Sequence, residues 1–159
     1  MYESPVPLPQ PARASVAASL QARLADAIDL HSQIKVAHWN VRGPHFAAYH
    51  PLFETFAVGL AAQIDLIAER AVTLGATVNG TARYVAASSG IPDYDAATRR
   101  DLDHARALVA RFGTFVARLH ESRNTANECG DTDTVDLLTG VITEFEKHGW
   151  FLRATLDEA

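Results

Sequence analysis

The sequence predicts an all-α fold, a four-helix bundle with a short helix in the long connection between the second and third helices. Three observations predict it. Apolar residues recur at steps of three, four and seven along four stretches, the spacing of one face of an α-helix. No stretch shows the strict alternation of a half-buried strand. Gly, Pro and cap-forming residues separate the four stretches, and one separation is much longer than the others. With 159 residues, 48% of them hydrophobic and 21% charged, the chain suits a single domain with an ordinary core.

The elements follow in order. Residues 1–11 hold four prolines and little periodicity, which reads as a flexible Pro-rich tail; the bundle domain is 12–159. The first helix runs from Ala12 through Val16, Leu20, Leu24, Ala27, Ile34 and Ala37 to about Arg42, where Gly43-Pro44 stops it. The second begins near Ala47 and carries the cleanest stripe: Phe46, Tyr49, Phe53, Phe56, Leu60, Ile64, Ile67, Ala71 and Leu74, closed by Gly75. Pro51 lies inside it and costs little only within the first turn. Residues 75–95 form the long connection, in which "TARYVAASS" suggests a short helix. The third helix spans about Ala96 to Asn127, through Leu102, Leu108, Phe112, Val116 and Leu119. After the break at "CGDTDTVD" the fourth carries Leu137, Leu138, Val141, Phe145, Leu152 and Leu156.

Composition excludes several functions. A lone Cys129 rules out an internal disulfide framework and Cys-rich metal sites. The N-terminus has no basic region followed by an apolar core, so no secretion signal is read there. No unbroken apolar run reaches the roughly 18–20 residues of a bilayer span, and a cytoplasmic location is the default. Net charge is −5 with only two lysines, Lys35 and Lys147; this lacks the basic footprint of nucleic-acid binding and favours cations as partners.

The chemistry gathers around the first break. "KVAHWNVRGPHFAAYHPLFE" holds three of the seven histidines, His38, His45 and His50. Past His50 come Glu54, Asp65 and Glu69; Asp65 and Glu69 stand four apart and share a helix face, as do His50 and Glu54. Imidazole with carboxylate suits iron, zinc or manganese, the competing reading being a solvated polar face. Fifteen residues of helix separate His50 from Asp65, about 22 Å, so one chain cannot bring both to one ion. Two copies with antiparallel second helices can. With a two-fold axis near Gly59 and Leu60, residue 50 faces 69 and 54 faces 65, giving two equal sites between chains. Ala57, Gly59, Ala61 and Ala62 permit that close approach.

"HWNVRGPHF", with His50, Glu54, Asp65 and Glu69 at their spacings, resembles the Dps family of mini-ferritins. The likeness extends through "TLGATVNGTARYVAASS", "GDTDTVDLLT" and "EKHGWFLRA", from about residue 20 to 157. It implies a ferritin-like four-helix bundle assembled into a hollow dodecamer built from two-fold dimers, an iron store that oxidises Fe(II), preferably with hydrogen peroxide. It makes His38, His50 and Glu54 iron ligands from one subunit, and Asp65 and Glu69 ligands from its partner; Glu54 replaces the usual, shorter aspartate. Trp39 matches a tryptophan near the site, either a sink for oxidising equivalents or plain packing. Asp131 and Asp136 match acids near three-fold pores, with helix capping as the alternative. Arg70 is expected either to pair with an acid across the dimer or to be exposed. His31 reads as an interface histidine or a weak neighbouring site, and His45 as exposed. The tail lacks the lysines of DNA-binding members, which argues against the alternative of a DNA-compacting protein.

Overall fold

The computed structural model describes residues 1–156; the last three residues of the expected 12–159 domain lie outside it. Its helices are α1 (Gln10–Asn40), α2 (Phe46–Thr73), α3 (Ala82–Ser88), α4 (Asp101–Glu128) and α5 (Thr132–Leu156). The fold is the expected all-α, ferritin-like one: α1, α2, α4 and α5 form the bundle, and α3 is the short helix of the crossover. α1 packs chiefly on α2, α4 chiefly on α5, and α3 rests on α1.

The stripes read from the sequence line the core, except that Phe46, at the first position of α2, is 46% exposed. Leu20, Leu30, Ile34, Phe53, Leu60, Ile67, Leu108, Phe115 and Leu119 are wholly buried. At its centre Phe112 meets Phe56 and Phe145 edge-on, with ring centroids 5.5 and 5.2 Å apart, the orientation that the ring quadrupole favours.

Two boundaries differ from expectation. α1 begins at Gln10 rather than Ala12, because Pro11 occupies the first turn, where no backbone donor is needed. Before it, Ser4 Oγ donates to Thr73 O at 2.7 Å, and Val6 and Leu8 pack against the core. The third bundle helix begins at Asp101, five residues later than expected. There Arg42 N–H donates to Arg99 O and Asp101 N–H to Arg42 O, both at 2.9 Å. This pairing with the α1–α2 turn holds Arg100 extended at ψ 139°. A long-range contact overrides local helical preference.

The crossover is tied down by polar groups. Gly90 N–H donates to Asp26 Oδ1 at 2.7 Å, and Arg118 Nε to Asp26 Oδ2 at 2.8 Å. Asp26 is fully buried, and these bonds satisfy it as burial demands.

Candidate metal centre

The two helices that carry the histidines meet through the histidines themselves. His38 lies in the last turn of α1, where backbone carbonyls have no intrahelical donor. His50 Nδ1 donates to that carbonyl at 2.9 Å, and His38 Nδ1 donates to the His50 carbonyl at 2.8 Å. The rings stack, centroids 3.8 Å apart and planes 24° apart. A carbonyl oxygen only accepts, so each Nδ1 carries the proton and each Nε2 presents its lone pair. Two imidazoles are thus held side by side in the form that ligates a metal.

Glu54 completes the group on this chain, with Oε2 3.4 Å from His38 Nε2. The same oxygen accepts a hydrogen bond from Lys35 Nζ, which holds the Glu54 carboxyl below its usual pKa, and the Lys35 charge acts in the same sense. With its extra methylene relative to an aspartate, the Glu54 side chain brings its carboxylate beside the His38 imidazole. Lys35 is the residue that sequence reasoning missed. Its position three before His38, on the same helix face, was the available signal.

Pro51 stands at the sixth position of α2, beyond the first turn. It withholds one N–H from the carbonyl of Ala47, an exposed residue within reach of water. The reciprocal His38–His50 bonds hold His50 in place despite it.

Asp65 and Glu69 are exposed on the outer face of α2, apart from the histidines. Among the described residues no three His, Cys, Asp or Glu side chains of one chain are placed so that they could hold a metal ion together. The face bearing the two acids is otherwise apolar. Val58 and Val72 are 63% and 51% exposed, and Ala61 and Ala62 lie between them. α2 is long and apolar enough by composition to cross a membrane, but this face alternates small apolar groups with carboxylates.

The remaining candidates fall as follows. Trp39 is 68% exposed, with Lys35 Nζ 5.7 Å from its ring centroid. Asp131 is buried, and both its oxygens are taken: Oδ1 accepts from Thr134 N–H at 3.1 Å and Arg70 Nη2 at 2.6 Å, and Oδ2 from Thr134 Oγ1 at 2.6 Å. It caps α5, the alternative reading of that stretch, and Arg70 finds its acid within the chain rather than across a dimer. Asp136 is exposed. His45 donates its backbone N–H to Asp101 Oδ2 at 2.8 Å, and its Nδ1 lies 3.1 Å from the same oxygen. His31 is half-buried, which pushes its pKa below the usual value; the nearby Lys35 adds to this.

Comparison with known proteins gives consistent matches. The ferritin-like domain family matches residues 17–159. The DNA protection during starvation protein of Agrobacterium fabrum is 36% identical over 95% of this chain and 93% of its own. The solved structure of DpsA14 from Streptomyces coelicolor superposes with a TM-score of 0.93 at 32% identity, covering 99% of this chain and 94% of that one. A Dps structure from Vibrio cholerae O1, described as a member of a broad superfamily of ferritin-like diiron-carboxylate proteins, superposes at 0.92 with 26% identity, over 99% and 98% of the two chains.

Proposed function

The chain belongs to the Dps family of ferritin-like iron-storage proteins, and from that premise we propose that it oxidises Fe(II) at sites shared between two-fold related subunits. Hydrogen peroxide is the preferred oxidant, and the ferric product is stored within a hollow dodecamer. In each site His38, His50 and Glu54 of one subunit and Asp65 and Glu69 of its partner hold the iron. One peroxide accepts two electrons. Two ferrous ions held together supply both, giving two ferric ions and, with two protons, two waters; no one-electron step releases hydroxyl radical.

The observation that carries this reading is the reciprocal bonding of His38 and His50, which leaves the Nε2 lone pair of each imidazole free, that of His38 beside the Glu54 carboxylate. Imidazole with carboxylate oxygen is a donor set that suits iron. The exposed apolar face of α2, with Asp65 and Glu69 on it, supports a second subunit as the source of the remaining ligands. Asp136, exposed near the start of α5, is the better candidate for drawing cations toward a pore, since Asp131 is committed to its cap.

The test adds Fe(II) and then peroxide anaerobically and follows ferric absorbance. Asp65→Ala/Glu69→Ala is expected to lose fast oxidation while keeping its assembled size. An unchanged rate would remove the assignment.

A further inference from the structure

On the opposite side of α2 a second polar group interrupts the core. Gln63 lies about 160° round the helix from Asp65 and faces α5. Its Nε2 donates to Glu144 Oε2 at 2.7 Å, and Glu144 Oε1 lies 3.4 Å from His148 Nε2. Gly59 leaves the room for this, since a Cβ there would sit 2.7 Å from Glu144 Oε1. The rest of the surroundings are apolar: the ring centroids of Phe56, Phe145 and Phe112 are 4.4, 5.3 and 6.4 Å from that of His148.

His148 is ill-served by the protein. Both its ring nitrogens are buried, and neither makes a hydrogen bond of ordinary geometry; Glu144 is the polar group that approaches. Burying a polar atom without a good partner is destabilising, a cost that a phenylalanine in this cage of rings would not incur. Burial pushes the His148 pKa below its usual value, with Glu144 opposing, and so keeps the neutral imidazole that can ligate. The 3.4 Å gap to Glu144 exceeds an ordinary N–H···O distance of about 2.7–3.2 Å. It matches two donors on one ion: bonds of about 2.0–2.1 Å at a near-tetrahedral angle separate their donors by about 3.3–3.4 Å. The Glu144 side chain is 28% exposed against 12% for His148, so the open side of the pair, from which an ion would enter, is the carboxylate side.

We propose that Glu144 Oε1 and His148 Nε2 bind one divalent transition-metal ion within each protomer, with Gln63 orienting the carboxylate through its other oxygen. This site uses no residue of the inter-subunit one and does not rest on that reading.

Cobalt(II) is the probe, added to the full-length assembled protein in the His38→Ala/His50→Ala/Asp65→Ala/Glu69→Ala background, which removes the inter-subunit ligands, and followed by d–d absorption and equilibrium dialysis. One cobalt per chain is expected to remain bound. His148→Phe, which the ring cage accommodates, should abolish it. Glu144→Gln keeps the bond to Gln63 while losing the charge, so it should weaken binding at least tenfold even if His148→Phe folds poorly. A background that binds no cobalt, or a well-folded His148→Phe that binds as much, overturns the proposal. Either result leaves the inter-subunit assignment untouched.

Discussion

At the scale of single residues, the candidate site depends on groups that hold its ligands as much as on the ligands. Lys35 occupies the Glu54 oxygen that the proposed metal ion would need, so on that reading metal and ammonium compete for one carboxylate. In a His148→Phe background, Lys35→Met is expected to tighten cobalt binding several-fold, measured by titration; unaltered affinity would mean that Glu54 does not ligate. Asp101 holds the turn between the histidines. Its burial opposes ionisation, but hydrogen bonds from the backbone N–H groups of His45 and Leu102 and from the His45 side chain outweigh it and keep its pKa below the usual carboxylate value. A depressed carboxyl pKa stabilises the fold above about pH 4, and that stability is lost as pH falls through the lower folded value. Asp101→Asn should therefore flatten the loss of stability between about pH 5 and 2, read by denaturant unfolding at each pH. Gly43 serves the same turn: at φ 144° a Cβ would lie 2.5 Å from the Asp101 carboxylate.

At the scale of elements, α2 does two jobs with two faces. Its inner face packs Phe53, Phe56, Leu60 and Ile67 into the core, while its outer face leaves Val58, Leu66 and Val72 exposed beside Asp65 and Glu69. A helix of this amphipathy in one chain is half-solvated; antiparallel pairing with a second copy would bury the outer face. Residue 58 then lies opposite 61, next to the axis. Val58→Glu is expected to leave helix content intact by circular dichroism yet lower the assembled mass in sedimentation, because two carboxylates would be buried unpaired. Full-size assemblies from this variant would argue against α2 as the contact.

At the scale of the whole molecule, the 22 Å or so between His50 and Asp65 along one helix makes the proposed activity a property of assembly. Neither a His38→Ala/His50→Ala chain nor an Asp65→Ala/Glu69→Ala chain should oxidise Fe(II) rapidly alone. Dissociated and reassembled together, they should regain a fraction of the wild-type rate at mixed interfaces. A mixture as inactive as its parents would show that the ligands do not come from two chains.

The sequence by itself determined the helices, their inward faces and the spacing of the candidate ligands, because helical periodicity is a local property legible from one residue to the next. It also disclosed through helix length alone that one chain could not close the proposed site. Tertiary structure alone decided which polar groups meet across elements. Lys35 reaches Glu54, Asp101 braces His45 from 56 residues away, Asp131 turns inward to Arg70, and Gln63, Glu144 and His148 converge on one spot. Such meetings depend on how helices rotate and cross, and no periodicity encodes them. The late start of α4 has the same cause, since the Arg42 backbone competes for Arg99 and Asp101 and a tertiary bond outweighs local preference.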